Sequence, residues 1–393
     1  MQADHFAHTE RCPVCGGGAA PMLSLLNQAI YQHPVPTDAD VRGPFTVDLS
    51  WVQCARCTHA WQATFDARLL KDIYRSHYYT PAPAGMGMQF RDVFLRTLDE
   101  CGLLRAGASL LEIGASDGNV LHEMMLQTGS TTAYAFEPNR ENADIARKRG
   151  LTVYEAFFGA SAIQRVGATV DFVFARHVIE HAFDFEDFFA GVNGVASGQA
   201  DLVLETPSLD HHARLGSLAP FHIEHLHVFS QRSLTTLAQR FGWHRTHGVV
   251  TADGNLIAAF GRDGTKESND TVPSTELSGL QAAADSVRAR LCRATEGRQL
   301  IFWGAGSAAV SLVRMLGREP DMWTDGNPNK YGRKFPGLKS EIVSPERALA
   351  MVESSPRAKP LLVITSSFVR EILPRVRARG WTGEIMDLDG NFL

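Results

Sequence analysis

Short apolar runs alternate with amphipathic segments from about residue 109 to residue 206. The apolar runs are short and continuous, as expected for strands buried on both faces of a parallel sheet. They lie at residues 109–113, 133–136, 151–154, 170–175 and 201–205, and helical periodicity occupies residues 120–128, 140–149 and 185–196. This order predicts β-α-β units and therefore a doubly wound α/β sheet.

The pattern changes beyond this region. Residues 244–262 form two β-rich runs around Asp253-Gly254, which is a strong hairpin signal. An antiparallel hairpin is therefore predicted to close the mostly parallel sheet. Residues 263–275 have the composition of a linker, and a helix is predicted over residues 276–295.

A second strand-and-helix pattern opens at residues 300–303, continues through the Gly-Ala-Gly run at 304–306 and resumes at 360–365. It predicts a C-terminal Rossmann-like α/β domain. A dehydrogenase is an alternative interpretation of this glycine run. The third glycine of the dinucleotide motif is missing at its usual place, so the run gives nicotinamide binding only weak support.

Four cysteines form two Cys-x-x-Cys pairs, Cys12/Cys15 and Cys54/Cys57, within a glycine- and proline-rich segment of about 70 residues. Such a segment has little apolar mass and favours a metal that holds it together. Two pairs give a tetrahedral shell of four sulfurs, which suits structural Zn²⁺ and leaves no open catalytic position. A redox role would instead be typical of one pair beside a βαβ unit.

Composition and charge narrow the class of protein. The 393 residues are 44% hydrophobic and 21% charged, with a formal charge of −5, as in a globular protein. No cluster of basic residues indicates nucleic-acid binding. Neither a membrane-spanning apolar stretch nor a signal peptide is visible, so we expect a cytoplasmic protein without membrane association.

A glycine-containing turn follows the first predicted strand of the central region. Glu112, Gly114 and Gly118 form the pattern E-x-G-x-x-x-G, and Glu137 ends the second strand. Such a turn brings the backbone close to a ligand, and an acid at this place suits ribose hydroxyls. The pattern predicts S-adenosylmethionine binding. The alternative is a glycine-rich turn and a helix-capping acid without a ligand.

The predicted cofactor site extends along the carboxyl edge of the sheet. Phe157 or Phe158 is expected to line the adenine slot, although a core position is equally compatible with the sequence. The complete set of predicted cofactor-binding residues is Glu112, Gly114, Ala115, Asp117, Gly118, Asn119, Glu137, Pro138, Phe157, Arg176 and His177.

Two histidine-rich segments follow strand ends. One reads Arg-His-Val-Ile-Glu-His over residues 176–181, and the other reads Phe-His-Ile-Glu-His-Leu-His over residues 221–227. Histidine is the usual general base near neutral pH, so acid–base chemistry is the leading hypothesis. A second metal site and purely structural histidines remain alternatives, although the zincin spacing H-E-x-x-H is absent.

With these motifs in hand, the chain resembles the three-domain sugar C-methyltransferases of deoxysugar biosynthesis in actinobacterial antibiotics. The resemblance covers nearly the whole chain. It rests on the paired Cys-x-x-Cys, residues 112–118, the His-Val-Ile-Glu-His run at 177–181, Glu224-His225 with Phe229-Ser230, the glycine run at 304–306, and residues 325–330 and 335–337.

The resemblance implies a nucleotide-linked 4-keto-deoxysugar as the acceptor. A base would remove the proton beside the ketone, and the resulting enolate would be methylated. His225 would be the base, and Glu224 and His181 would orient it or stabilise the enolate oxygen. O- or N-methylation of another small metabolite is the alternative reaction, and a binding module without activity is a further one.

The chain departs from the family pattern at two places. His222 stands where the family usually has a tyrosine, so His222 joins the predicted catalytic set. The family's tyrosine-rich stretch corresponds loosely to residues 78–90, where Tyr79 or Tyr78 would supply an aromatic hydroxyl.

The predicted organisation has three parts. Residues 1–70 form a zinc-binding domain, residues 71–262 a doubly wound class I methyltransferase domain, and residues 263–393 the C-terminal α/β domain. The implied ligands are S-adenosylmethionine, structural Zn²⁺ and a small-molecule acceptor, with the protein a monomer or a homodimer.

Overall fold

The computed structural model describes residues 6–8, 10–75, 88–264, 279–353, 359–366 and 368–393. In the N-terminal part the elements are β1 (Phe6–His8), β2 (Ala19–Ala29), β3 (Val35–Pro36), β4 (Thr46–Cys54), β5 (Ala60–Gln62), β6 (Thr64–Asp66) and α1 (Ala67–Arg75).

The middle part contains α2 (Met88–Glu100), β7 (Leu110–Ile113), α3 (Asn119–Thr128), β8 (Ala133–Phe136), α4 (Arg140–Lys148), β9 (Thr152–Tyr154), α5 (Ala162–Val166), β10 (Val170–Arg176), α6 (Phe185–Val195), β11 (Ala196–Pro207), α7 (Leu209–Leu215), β12 (His227–Val228), α8 (Gln231–Arg240), β13 (His244–Val250) and β14 (Asn255–Gly261).

The C-terminal part contains α9 (Leu280–Thr295), β15 (Leu300–Trp303), α10 (Ser307–Leu316), β16 (Met322–Thr324), β17 (Arg333–Lys334), β18 (Ile342–Val343), α11 (Pro345–Glu353), β19 (Leu361–Ile364), α12 (Val369–Ala378) and β20 (Glu384–Met386).

The central sheet has seven strands in the order β13-β14-β11-β10-β7-β8-β9. Only β14 runs antiparallel to its neighbours, as the predicted hairpin requires. All four residues of β7 are buried because helices cover both faces of the sheet. The carboxyl ends of β7, β8 and β10 therefore meet at one edge, which is where ligands bind in such sheets.

The C-terminal part is built on a five-stranded sheet with the order β18-β16-β15-β19-β20. Every neighbouring pair in it is parallel. Its helix α9 begins at Leu280 with Gly279 as the N-cap, and residues 276–278 of the predicted helix lie outside the described residues.

The N-terminal sheet has the order β12-β5-β4-β2, and β12 comes from residues far along the chain. A second link joins β3 to β17 of the C-terminal part in a two-stranded antiparallel pair. The N-terminal part thus hydrogen-bonds to both other parts. Among the described residues, no helix combines the length and apolar character needed to cross a membrane.

Candidate active site

One large cavity of about 1240 Å³ lies among the three sheets. Its wall includes Tyr74 of α1, the turn after β7, the histidine segments and the loop that follows β16. Pockets for one small ligand commonly measure roughly 300–1,000 Å³. The volume is therefore sufficient for two ligands side by side.

The turn after β7 depends on its glycines. Gly114 and Gly118 have φ of 72° and 73°, a left-handed conformation that side chains rarely adopt. A Cβ on Gly114 would lie 2.5 Å from Val178 Cγ2, and one on Gly118 would lie 2.4 Å from Leu151 Cδ1. Gly118 was predicted to bind the cofactor, but it packs against Leu151 and is not part of the cavity wall.

The acid after β8 is integrated into this turn. Glu137 is buried, and its two oxygens accept from the backbone N–H groups of Ser116 at 2.8 Å and Asn139 at 2.7 Å. Burial raises the pKa of Glu137. Each carboxylate oxygen has a further lone pair, so Glu137 ties the two strand ends together and can still accept from a ligand in the cavity.

Glu112 presents a different environment at the same edge. Its Oε2 is buried without a hydrogen-bond partner in the described structure. Burial, opposed by the nearby Arg176, raises the pKa of Glu112 to about 8. Arg176 pairs with Glu205 through Nε and packs over the ring of Phe94. A nearby cation would favour the ionised form of this mostly neutral carboxyl group, so a cationic ligand group would be a suitable partner for it.

The remaining predicted cofactor-binding residues also lie on the cavity wall. Asp117 forms an ion pair with Arg149 at 2.9 Å, and Asn119 accepts from Arg91 at 3.0 Å. Phe157 is 38% exposed and so is not a core residue. The residues in contact with the cavity are Glu112, Gly114, Ala115, Asp117, Asn119, Glu137, Pro138, Phe157, Arg176 and His177.

His225 lies on the cavity wall opposite this turn. Its Nδ1 is 2.8 Å from the carbonyl oxygen of Pro220, which can only accept, so Nδ1 carries the proton and Nε2 carries the lone pair. Burial, together with the neighbouring rings of His222 and His181, lowers the pKa of His225 well below its usual value. A neutral imidazole with an unprotonated Nε2 has the form of a general base.

His222 packs closely against this ring, with 3.8 Å between the ring centroids. Burial and the nearby His181 lower the pKa of His222 to about 3, so it is neutral. Its Nδ1 is buried without a hydrogen-bond partner in the described chain. An orphaned donor is rarer than an orphaned acceptor, which favours the tautomer with the proton on Nε2.

His181 is held by a backbone group and a tyrosine. Its Nδ1 donates to the carbonyl of Glu224 at 2.7 Å, and the hydroxyl of Tyr74 donates to the same carbonyl at 2.7 Å. Sequence reasoning missed Tyr74, because the pattern of α1 does not distinguish a tyrosine that contacts a distant loop from a tyrosine that only packs against its neighbours. Tyr79, the predicted aromatic hydroxyl, and Tyr78 lie outside the described residues.

The structure changes the orienting role expected for Glu224, while its expected role at the enolate oxygen stays a prediction. Its backbone carbonyl, and not its carboxylate, orients an imidazole, and that imidazole belongs to His181. The carboxylate Oε1 is buried without a partner among the described groups, and burial raises the pKa of Glu224 to about 8. A mostly neutral carboxyl group therefore stands beside the histidines.

Glu180 is a fully buried acidic residue within the histidine cluster. Its Oε1 is 3.3 Å from Nδ1 of His177, which has a left-handed φ of 52°. The side chain of His177 is 41% exposed, and Glu180 and Glu205 outweigh its partial loss of solvent, so the pKa of His177 is raised. Glu180, His181 and His225 also have ligand atoms within 4.8 Å of one another, so the metal alternative for these histidines is geometrically open.

Comparisons with known proteins bear on the central part of the chain. A family model described as a methyltransferase domain matches residues 86–247. The chain is an S-adenosylmethionine-dependent methyltransferase. A search of curated proteins finds no match.

Solved methyltransferases are similar to part of the chain at low sequence identity. An S-adenosylmethionine-dependent methyltransferase from Aquifex aeolicus is 18% identical, over 43% of this chain and 89% of the other, with a TM-score of 0.35. Magnesium protoporphyrin IX methyltransferase from Synechocystis PCC 6803 is 13% identical, over 50% of this chain and all 100% of the other, with a TM-score of 0.38.

The C-terminal wall of the methyltransferase cavity repeats one construction of the central domain. Asp325, after β16, accepts from the backbone N–H groups of Ala305 at 2.7 Å and Asn327 at 2.8 Å. Lys330 donates to the same carboxylate at 3.0 Å. Further cationic side chains of this wall belong to Arg375 and Arg379.

The four paired cysteines of the methyltransferase converge at one end of the N-terminal sheet. Cys12 and Cys57 have sulfurs 3.5 Å apart, Cys15 and Cys54 have sulfurs 3.4 Å apart, and all four sulfurs lie within 4.8 Å of one another. Four thiolates at about 2.3 Å from Zn²⁺ in a tetrahedron would be roughly 3.8 Å apart. The donor set and its spacing therefore fit the predicted structural zinc.

Proposed function

We propose that this methyltransferase methylates the carbon next to the ketone of a nucleotide-linked keto-deoxysugar, with His225 as the general base. The observation that carries the proposal is the position of His225. Its Nδ1 proton is fixed on the Pro220 carbonyl, and its ring lines the same cavity as the glycine turn and Glu137. A carbon acid needs such a base, because a ketone does not ionise at that carbon unaided.

The wall made by the glycine turn suits S-adenosylmethionine. Glu137 would accept from the ribose hydroxyls, Phe157 would contact the adenine, and the unpartnered oxygen of Glu112 would face the ammonium group. When bound, the cofactor supplies an electrophilic methyl group on a sulfonium. The residues on this wall bind and orient, and none of them needs to react.

The opposite wall suits a charged acceptor. Lys330, Arg375 and Arg379 line the cavity on the C-terminal side, and phosphate groups are recognised by such cations. A diphosphate placed there would point the sugar toward the histidines. The cavity exceeds the size usual for one small ligand, which supports simultaneous binding of cofactor and acceptor.

Proton transfer is the task of the histidine cluster. His225 Nε2 would take the proton from the acceptor carbon and later release it to solvent. His222, in the tautomer with Nε2 protonated, would donate to the enolate oxygen. His181 has its Nδ1 proton engaged with Glu224, so it holds the loop and presents a lone pair. General-base help of this kind is worth roughly 10²- to 10⁴-fold in rate.

A substrate screen followed by isotope exchange tests the proposal. The protein saturated with the demethylated cofactor would be incubated with dTDP-, UDP- and GDP-linked 4-keto-6-deoxyhexoses in deuterium oxide. We expect one of them to exchange deuterium at the carbon beside the ketone, as followed by mass spectrometry. If S-adenosylmethionine then methylates an acceptor on oxygen or nitrogen, and that acceptor showed no exchange with the demethylated cofactor, the alternative reaction would be established instead.

The His225→Ala variant provides the matching prediction. We expect it to bind the demethylated cofactor within about twofold of the wild-type affinity and to lose roughly 10²- to 10⁴-fold in turnover and in exchange. His211→Ala is the control, because His211 is a partly exposed histidine of α7 outside the cavity wall. Near-normal exchange by His225→Ala would remove His225 from the role of base.

A further inference from the structure

The chain segment directly after the fourth cysteine reaches the catalytic loop. Residues 58–62 lead from Cys57 into β5, and β5 pairs with β12 through Trp61↔His227 and Ala60↔Val228. β12 begins two residues after His225. The segment that carries the base is therefore the edge strand of the cysteine-bearing sheet and its preceding loop.

Gln62 of β5 holds this loop through a single side-chain amide. It is buried, and its Nε2 lies 3.1 Å from the carbonyl oxygen of His222, 2.9 Å from that of Ile223 and 2.6 Å from that of His225. Its backbone N–H donates to Leu226 at 3.0 Å. An amide has two N–H groups, so one of them is shared between carbonyls.

A second connection from the same segment reaches the other histidine segment. His227 Nε2 is 3.0 Å from the carbonyl of Ala182 and must donate to it, so its Nδ1 accepts from His59 Nε2 at 3.1 Å. Both histidines are buried. The chain after Cys57 therefore contacts the loop of His225 directly through Gln62, and it is linked to Ala182, next to His181, through His59 and then His227.

We propose that Gln62 is a positioning residue for His225. The amide draws the carbonyl groups of His222, Ile223 and His225 toward one side chain. This shared contact sets the backbone conformation of residues 222–225. That course also places the Pro220 carbonyl, which sets the tautomer of His225. Without the amide, buried carbonyls would lack donors and the loop would rearrange to find others. The inference rests on the proposed role of His225 as the base.

A spectroscopic test needs no acceptor. Protein labelled with ¹⁵N in its histidine side chains and saturated with the demethylated cofactor would be compared as wild type, Gln62→Met and Gln32→Met. Gln32 is the matched control, because it is also buried in the N-terminal part and its Nε2 donates to the Ala29 carbonyl, away from the loop. His225→Ala assigns the signal of His225.

We expect Gln62→Met to shift or lose the Nδ1–H signal of His225, while Gln32→Met leaves it unchanged. An unchanged signal in folded Gln62→Met protein would overturn the proposal, whatever the acceptor proves to be. If Gln62→Met does not fold, Gln62→Asn keeps an amide but withdraws it by one methylene, and the same two outcomes apply.

Kinetics separate positioning from a general structural role. With the nucleotide-sugar identified by the screen, Gln62→Met should lower kcat by roughly 10- to 100-fold, because small misplacements of reacting groups have effects of this size. Affinity for the demethylated cofactor should stay within about twofold. In the His225→Ala background, the same change should lower residual turnover by less than about twofold, since no base remains to be positioned.

An equal loss in both backgrounds would show that Gln62 only supports the fold, and the positioning role would be wrong. Near-normal turnover of His225→Ala would instead contradict the proposed base. The histidine spectrum of Gln62→Met would still report whether the amide sets the loop, so the two failures are distinguishable.

Discussion

The central and C-terminal sheets use the same construction at the end of their second strand. In each, a carboxylate reaches back to the turn after the first strand and also accepts from the residue two positions ahead. Glu137 bonds Ser116 and Asn139, and Asp325 bonds Ala305 and Asn327. In both sheets the first two strands are parallel and end at the same edge, so the same hydrogen-bonding arrangement can form in each.

The two sites differ in what else the carboxylate touches. Lys330 is 3.0 Å from Asp325, whereas Glu137 has no ion-pair partner in the described structure. An acid neutralised by a lysine is a poor acceptor for ribose hydroxyls, and the lysine ammonium becomes the group that a ligand would meet. One side chain five positions further along thus separates a carboxylate without an ion-pair partner in the described structure from a carboxylate that is paired with an ammonium group. The same ion pair also disfavours the nicotinamide interpretation of the glycine run at 304–306.

The largest expected difference between the two turns concerns stability. Gly118 and Gly306 are the N-cap residues of α3 and α10. A Cβ on Gly118 would overlap Leu151 in a left-handed backbone, whereas one on Gly306 would meet nothing within 4 Å. We expect Gly118→Ala to lower the free energy of unfolding by about 2–4 kcal/mol and Gly306→Ala to change it by less than about 0.5 kcal/mol.

Thermal and urea unfolding of the two glycine variants would measure this difference. Equal losses of stability would mean that the two turns are under the same steric constraint, and the predicted difference between Gly118 and Gly306 would be wrong.

The next effect concerns cofactor binding. We expect Glu137→Ala to weaken binding of the demethylated cofactor by about 100-fold, equivalent to roughly 2.7 kcal/mol, because two hydroxyl contacts and the support of the turn are lost. Asp325→Ala should leave that affinity within about twofold. Titration calorimetry would measure both, and zinc content should be unaltered in each variant. If Asp325→Ala weakened the cofactor as strongly, the two acids would have equivalent roles.

The smallest effect concerns the lysine itself. Removing the ammonium from the mostly buried Asp325 leaves a carboxylate with its two backbone donors only. We expect Lys330→Met to cost about 1–2 kcal/mol in stability, with cofactor affinity unchanged. The double variant Lys330→Met/Asp325→Asn should recover part of that loss, whereas exposed Lys339→Met should have no effect. Unfolding experiments that find no loss for Lys330→Met would show that the pair is structurally neutral.

Local patterns predicted much of the fold. Strands β8 and β15 have the predicted limits, and the hairpin of β13 and β14 was predicted from Asp253-Gly254 and its flanking runs. These features are predictable because burial on both faces, turn chemistry and helical periodicity leave their marks on adjacent residues. Each Cys-x-x-Cys pair was predictable for the same reason, since its two cysteines lie on one tight turn.

Contacts across long sequence separations were not predictable in the same way. Tyr74 reaches the Glu224 carbonyl over 150 positions, and Gln62 reaches residues 160 or more positions away. Their acceptors are backbone carbonyls, which every residue possesses, so no complementary residue type marks the partner. For this reason the orienting contact expected of the Glu224 carboxylate is made by the backbone of that residue, while its role at the enolate oxygen stays a prediction.

By itself, the sequence determined where the central strands lie along the chain, the glycine turn with its acid, the paired cysteines and the presence of histidines at strand ends. Only the tertiary structure decided which nitrogen of His225 carries the proton, that a tyrosine of α1 supports His181, and that the cysteine-bearing sheet contacts the loop of residues 222–225. The reason is physical. Propensity and periodicity act between neighbours along the chain, whereas tautomers and loop courses depend on hydrogen bonds that exist only after the three sheets have packed together.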